Sequence, residues 1–168
     1  MKLIEINKVR YRRHLRYVMA ACAAGLAVGS LAVSQTLIAF FPDESGSHFH
    51  WNLLGVAVAG VAIAWLLNRY RQYDFMTEVV YVWDLKQSLN KINRKIRKLE
   101  AASREGNVDA LLAIHYSYAA SRLLWQLDDN TLLMDELAIK QAELNKLAEQ
   151  YSVILNADDY DYSVLKSF

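Results

Sequence analysis

Two long apolar segments dominate the first half of the chain. Residues 17–42 and 45–68 contain no Lys, Arg, Asp or Glu, whereas charged residues are frequent in the rest of the sequence. About 20 apolar residues in a helix are enough to cross the roughly 30 Å hydrocarbon core of a bilayer. We therefore predict a transmembrane hairpin over residues 17–68, with spans at about 17–41 and 51–67 and Pro42 ending the first helix.

The basic residues beside the two spans predict their orientation. The loop at 42–50 carries Asp43 and Glu44 but no Lys or Arg, while Arg69 and Arg71 follow the second span. Residues 1–16 form a basic N-terminal segment that contains Lys2, Lys8, Arg10, Arg12, Arg13 and Arg16. Because Lys and Arg accumulate on the cytoplasmic side of membrane proteins, we expect both termini in the cytoplasm. A cleaved signal peptide is disfavoured, since its apolar core normally has about 7–15 residues.

The arginines next to the first span have two interpretations. Topology alone accounts for their position, but each basic residue close to anionic lipid also contributes about 1 kcal/mol to membrane binding. We therefore regard four arginines as candidate contacts for anionic lipid: Arg10, Arg12, Arg13 and Arg16.

After residue 73 the sequence becomes charged and acquires a helical period. Apolar residues spaced by three and four predict a coiled-coil seam in a first cytoplasmic helix: Val82, Leu85, Leu89, Ile92, Ile96 and Leu99. Gly106 and Asn107 are typical of a helix end followed by a new helix start. A second helix is predicted at about 108–127. Asp128, Asp129 and Asn130 offer N-caps for a third helix at about 133–151.

The fold class expected from these patterns is an all-α membrane protein. It consists of a transmembrane helical hairpin followed by a cytoplasmic antiparallel three-helix or coiled-coil region at 74–168. This coiled-coil seam has more apolar positions than one antiparallel neighbour would bury. Burial of the remaining positions by a second copy of the chain is favoured, so we predict a homo-oligomer. The residues predicted to mediate it are Leu85, Leu89, Ile92 and Ile96.

Small residues recur on one stripe of each predicted span. Such residues let two helix backbones approach closely in a membrane, where no hydrophobic force drives helices together. The residues predicted to pack are Gly25 and Gly29 in the first span and Gly55 and Ala59 in the second. A further stripe contains Gly60 and Ala64. Packing within the hairpin is the main interpretation, and contact with a second protomer is the alternative.

The acidic and aromatic C-terminal segment, residues 156–168, is expected to dock on its own bundle through Tyr160, Leu165 and Phe168. A basic cluster at 91–98 is interpreted as a solvated helix face. The net charge is +1, and residues 77–168 contain 11 Lys and Arg against 14 Asp and Glu. This balance argues against a nucleic-acid partner.

The sequence contains no motif that predicts catalysis or a cofactor. Gly-rich phosphate loops, zinc-protease motifs and nucleophile elbows are absent, and the single Cys22 excludes a disulfide framework within the chain. His48 and His50, with Asp43 and Glu44 nearby, offer few fixed ligands, so no metal is predicted and metal binding in an assembly stays open. His14 is expected to be solvated, and His115 to pack in a core or interface.

Three stretches resemble a family of small bacterial membrane proteins catalogued as a domain of unknown function. They are FPDESGSHFHWNLLG at 41–55, FMTEVVYVW at 75–83 and LWQLDDNTL at 124–132. The resemblance covers nearly the whole chain. It implies a bacterial inner membrane and supplies no activity, ligand or catalytic residue.

The function expected from the sequence is that of a non-enzymatic, membrane-anchored scaffold or adaptor that self-associates, with membrane lipids as further partners. An accessory subunit of a larger membrane complex is the first alternative. A multi-copy pore or transport element is less favoured, because neither span carries an ionisable acid, base or histidine.

Overall fold

The chain is mostly helical in the part that the computed structural model describes, which comprises residues 2–42, 46–130 and 132–168. Helix accounts for 80% of it, with no strand among those residues, which confirms the all-α prediction. The six helices of the described residues are α1 (Lys8–Phe40), α2 (Phe49–Arg69), α3 (Thr77–Asn93), α4 (Ile96–Arg104), α5 (Val108–Asp128) and α6 (Met134–Gln150). Short 3-10 turns occur at Asp74–Met76, Ala157–Asp159 and Tyr162–Ser167.

Two compact units divide the chain. One is the hairpin unit, Val9–Val80, which holds nearly all of α1 and the whole of α2. The other, here called the bundle unit, comprises the N-terminal residues up to Lys8 together with Tyr81–Phe168. The division falls within α3, a few residues beyond the boundary that the change in composition suggests.

The hairpin unit contains two helices that are both long and apolar enough to cross a membrane. Helix α1 ends at Phe40, two residues before Pro42, as expected from the inability of proline to continue a helix. The same helix begins at Lys8, so the basic residues at 10–16 lie on its first turns. The acidic loop residues Asp43 and Glu44 lie outside the described residues.

The bundle unit is built around α5, which packs against α4, α6 and the turn at Ala157–Asp159. The buried side chains of α5 include Leu111, Ile114, Tyr116 and Leu124. Gly106 ends α4 with φ at +81°, a value that favours glycine. The Asn107 side chain then accepts a hydrogen bond from the backbone N–H of Ala110 at 3.0 Å. This confirms the predicted stop and start.

The prediction that the first cytoplasmic helix is continuous is wrong. The backbone leaves the helix at Arg94 and Lys95, and α4 begins at Ile96, so the bundle unit has four α-helices in its described residues instead of three. The backbone N–H of Lys95 bonds to the carbonyl of Ile92, one residue short of the α-helical partner. Its Nζ donates to the carbonyl oxygen of Leu165 at 2.5 Å. The spacing of apolar residues along the helix could not predict this long-range contact.

The predicted N-caps of the third helix are also wrong. Helix α6 begins at Met134 after Leu133, whose side chain forms no capping hydrogen bond. Asp129 instead adopts a left-handed conformation, with φ at +54°, and closes the C-terminal end of α5. Its carboxylate also forms an ion pair with Lys8. The acidic residues therefore terminate one helix without starting the next.

The segment before α1 is attached to the bundle unit by Tyr81. The phenol oxygen accepts a hydrogen bond from the backbone N–H of Ile4 at 2.9 Å and donates one to the carbonyl of Lys2 at 3.1 Å. Burial raises the pKa of Tyr81, and the bond from Ile4 opposes this effect. The N-terminal residues are thereby tied to α3.

Candidate functional site: the helical hairpin and its basic end

The two hairpin helices approach most closely at glycine. A Cβ added to Gly55 in α2 would lie 2.6 Å from the carbonyl oxygen of Ser30 and 3.1 Å from Cβ of Ser34. One added to Gly29 in α1 would lie 3.3 Å from Cβ of Ala59. Ala59 is itself buried, at 5% exposure. Three of the predicted packing residues therefore meet at the contact between α1 and α2.

The fourth predicted packing residue, Gly25, lies at a looser contact. A Cβ added there would be 3.7 Å from Cδ1 of Ile63, an ordinary van der Waals distance. Gly60 differs again, since a Cβ added to it would meet nothing within 4 Å. The stripe with Gly60 and Ala64 thus plays no part in the hairpin contact, and its surface is open to another helix.

A hydrogen bond joins the two apolar helices beside the closest approach. The Ser34 hydroxyl donates to the side-chain oxygen of Asn52 at 2.6 Å, and Ser34 is only 2% exposed. Other hydroxyls of α1 bond to their own helix: Ser30 to the carbonyl of Ala27 and Thr36 to that of Ala32. The Ser34 hydroxyl therefore links the two helices, whereas those of Ser30 and Thr36 do not. Hydrogen bonds between membrane helices typically contribute about 0.6–2 kcal/mol.

At the N-terminal end of α1, a charged cluster connects the helix to the start of α3. Arg10 Nε lies 2.9 Å from Oε1 of Glu78, and His14 Nδ1 lies 3.5 Å from Oε2 of the same carboxylate. The imidazole of His14 stacks on Phe75 with ring centroids 4.2 Å apart. His14 is only 7% exposed, so the expectation that it is solvated is wrong. His14 is covered by Phe75 and Glu78, which are distant from it in sequence.

The candidate lipid-binding arginines are not equivalent. Arg10 is engaged with Glu78, and Arg12 is half-buried. Arg13 and Arg16 are exposed, as is Arg69 at the end of α2. Arg10 is exposed as well, but its guanidinium group is paired with Glu78, so Arg13, Arg16 and Arg69 are the better candidates for contact with an external anion.

An apolar groove of about 400 Å³ runs between the two helices next to this basic end. Tyr17, Ala21 and Gly25 line it from α1, Ile63 and Leu67 line it from α2, and Tyr70 lines it just after α2. Met76 and Phe75 close the end nearest α3. The lining is almost entirely apolar, so the groove suits an apolar ligand chain.

The opposite end of the hairpin carries aromatic side chains. Trp51 stacks with Phe41 at 5.7 Å between centroids and also contacts the His50 ring at 4.7 Å. Such residues are frequent at membrane interfaces. His48 is half-buried beside them. Within the described residues, no three His, Cys, Asp or Glu side chains lie close enough together to hold a metal ion. Asp43 and Glu44, which the metal-binding alternative would use, lie outside the described residues.

The predicted oligomerisation seam is buried inside one chain. Leu85 and Ile92 have no exposed surface and Leu89 is 7% exposed, while Ile96 is half-buried beyond the break between α3 and α4. Leu85, Leu89 and Ile92 form part of the core of the bundle unit. Their assignment to an interface between protomers is therefore corrected, because a surface already covered by its own chain is not available to another. The assignment of the half-buried Ile96 stays a prediction.

The C-terminal segment docks on the bundle unit as expected. Tyr160 and Leu165 are buried, and the Tyr160 ring stacks on Tyr116 with centroids 4.6 Å apart. Burial, with smaller electrostatic contributions from neighbouring groups, raises the pKa of Tyr160 far above its usual range. Burial also raises the pKa of Tyr116.

Lysines of the basic cluster at 91–98 bind the C-terminal segment. The interpretation of this cluster as a solvated helix face did not predict these contacts. Lys91 Nζ lies 4.5 Å above the Tyr162 ring, and Lys98 Nζ donates to the carbonyl oxygen of Phe168 at 2.6 Å. Lys95 forms the bond to Leu165 described above. A signal was present in the sequence, because acidic Asp158, Asp159 and Asp161 and two tyrosines complement a basic helix face.

His115 on α5 has a packing role. Its Nδ1 lies 3.1 Å from Nε2 of Gln141 in α6. Burial, and secondarily the charge of Arg122, lowers the pKa of His115. A neutral imidazole at an interhelical contact agrees with the interpretation of core or interface packing.

These features define an all-helical protein with two helices long and apolar enough to cross a membrane, joined to a compact helical bundle. A family model described as "Protein of unknown function (DUF3087)" matches residues 1–165, and the chain belongs to this family. The match confirms the resemblance to a domain family of unknown function. No curated protein and no solved structure matches the chain.

Proposed function

We propose that this protein is a membrane-anchored helical scaffold or adaptor of the bacterial inner membrane that self-associates and has no catalytic activity. The observation that carries the proposal is the exposure of the two apolar helices. Only 6% of the most apolar window of α1 and 11% of that of α2 are buried. A core helix of a soluble protein would be mostly buried, whereas a membrane-spanning helix keeps its apolar surface facing lipid.

The cost of leaving this surface in water supports the same conclusion. Val28, Leu31 and Val61 are each more than 60% exposed. Burying one such side chain is worth roughly 1.5–3 kcal/mol, and the two helices carry many of them. A bilayer removes this surface from water without a further protein core. The signal-sequence alternative applies only to α1, whereas α2 pairs with it through Gly55 and Asn52.

Charge distribution supports an orientation with both termini in the cytoplasm. Lys8 and Arg10–Arg16 precede the apolar part of α1, and Arg69 and Arg71 follow that of α2. Both groups therefore belong to the same end of a hairpin, the end that the positive-inside rule assigns to the cytoplasm.

Self-association is proposed through surfaces other than the buried seam. Leu132, just before α6, is 90% exposed, Ile139 within α6 is 62% exposed, and Trp83 on α3 is 61% exposed. Exposed large apolar residues of this kind are candidates for a protein interface. The open surface beside Gly60 offers a second contact within the bilayer.

The test is the mass of the full-length protein purified from its native membrane without overexpression. A homogeneous homo-oligomer that Ile139→Glu dissociates supports the scaffold. Ala138→Glu is the matched control, because Ala138 is exposed about 100° around the same helix from Ile139, and it should leave the mass unchanged. A monomer at all concentrations would overturn self-association, and stoichiometric chains of other sequence would establish the accessory subunit instead.

A further inference from the structure

The groove between α1 and α2 has a size and lining that select a narrow apolar ligand. Its volume is about 400 Å³. A helix about 10 Å across fills roughly 400 Å³ with each 5.4 Å turn, so a helix from another chain would fit for only about one turn. An acyl chain is much thinner and can follow the length of the groove. The small residues Ala21 and Gly25 leave the space that such a chain would occupy.

Positive charge lies directly beyond one end of this groove. On α1, Arg13, Tyr17 and Ala21 follow one another at spacings of four, so they share one stripe of the helix. Arg16 precedes Tyr17, and Arg69 follows the groove-lining Leu66 by three residues on α2. The three arginines are exposed, and Tyr17 and Tyr70 line the groove close to them in sequence.

We propose that this groove is a binding site for an anionic phospholipid. One acyl chain lies against Ala21, Gly25 and Ile63, and the phosphate is bound by Arg13, Arg16 and Arg69. The complementarity of charge and apolar lining selects this occupant over a neutral lipid, since the basic end would leave a zwitterionic headgroup only partly matched. The inference rests on the proposed membrane placement of α1 and α2, because the ligand enters from the bilayer.

The experiment measures lipid retained by the full-length protein in native mass spectrometry. Protein in detergent is titrated with phosphatidylglycerol or with phosphatidylcholine of the same acyl chains. Wild type is expected to retain phosphatidylglycerol preferentially. Arg13→Gln and Arg16→Gln should each lower that retention about fivefold, as expected for one basic residue at a lipid headgroup. Phosphatidylcholine retention should fall less, because the choline group offsets the charge of its phosphate.

Two substitutions test the groove itself. Ala21→Phe fills it and should lower the retention of both lipids, and Ala21→Leu, a smaller change, should do so to a lesser degree. Ala23→Phe is the matched control, because Ala23 is exposed on α1 and does not line the groove. Circular dichroism of each variant establishes that it is folded.

Equal retention of the two lipids by wild type, or identical behaviour of Ala21→Phe and Ala23→Phe, would overturn the lipid site. Membrane placement is measured separately by flotation of wild type with liposomes after alkaline carbonate extraction. Floating protein without lipid selectivity would overturn this inference alone. Protein that does not float would overturn the membrane placement and the lipid site with it.

Discussion

The hydroxyl of Ser34 in α1 donates a hydrogen bond to the side-chain oxygen of Asn52 in α2 across 2.6 Å. The bond lies beside Gly55, where the two backbones are closest. Close approach and hydrogen bonding therefore act at the same level of the hairpin. This combination specifies a pairing of two apolar helices that hydrophobicity alone leaves undetermined in lipid.

The Ser34–Asn52 bond should stabilise the hairpin measurably. Ser34→Ala, Asn52→Ala and the double variant form a double-mutant cycle, and we expect a coupling free energy of about 0.6–2 kcal/mol from unfolding in detergent. Thr36→Val is the control, since its hydroxyl bonds within α1. A coupling free energy of zero would show that the bond does not hold the helices together.

The contact at Gly55 should not tolerate a side chain. Gly55→Ala places a Cβ 2.6 Å from the backbone oxygen of Ser30, so the helices must separate; we expect a loss of about 1–3 kcal/mol. Gly60→Ala is the matched control, because its Cβ would meet open space. Thermal unfolding in detergent measures both, and equal stability of the two variants would remove Gly55 from the packing contact.

Glu78 should hold the basic end of α1. Glu78→Gln removes the charge that pairs with Arg10 at 2.9 Å. A hydrogen bond to a charged group is worth about 1.5–3 kcal/mol, and the half-exposed Arg10 favours the lower end of that range. Glu136→Gln is the control, because Glu136 forms an exposed pair with Lys140 within α6. Chemical denaturation should show a loss for Glu78→Gln that the control lacks.

Tyr160 should make the bundle sensitive to alkaline pH. Its pKa is raised in the folded state, chiefly by burial, so above about pH 10 the unfolded chain releases a proton that the folded chain retains. The stabilisation is complete below pH 10 and is lost as the pH rises. Tyr160→Phe should lose less stability between pH 9 and 11 than wild type does. Parallel pH profiles for the two proteins would contradict this role.

The helices of this fold could be predicted from sequence where local signals determine them. Charge-free segments predicted α1 and α2, and Gly106 with Asn107 predicted the boundary between α4 and α5. The break at Arg94 and Lys95 could not be predicted, since neither proline nor glycine marks it. At this break, Lys95 donates a hydrogen bond to the carbonyl oxygen of Leu165. The spacing of apolar residues cannot predict a contact between residues so far apart in sequence.

The packing residues were easier to predict than the polar contacts. Small residues at spacings of four identified Gly29, Gly55 and Ala59, because close approach requires a missing side chain. Asn52 and Glu78 were not identified, since a single polar residue gains a role only from the partner that folding places beside it. Leu85, Leu89, Ile92 and Ile96 were predicted to contact another protomer, because a pattern of apolar residues does not indicate whether the same chain or another chain covers them.

The central claim is that α1 and α2 cross a membrane as a hairpin with both termini in the cytoplasm. In a Cys22→Ala background, single cysteines at Ser47 and Glu105 test it by labelling with a membrane-impermeant maleimide in intact cells. Both positions are exposed and so accessible to the reagent; the nearby Ser103, at 3% exposure, would not be. We expect Ser47→Cys to label in intact cells and Glu105→Cys only after the inner membrane is permeabilised. Labelling of Glu105→Cys in intact cells, or of Ser47→Cys only after permeabilisation, would contradict the account.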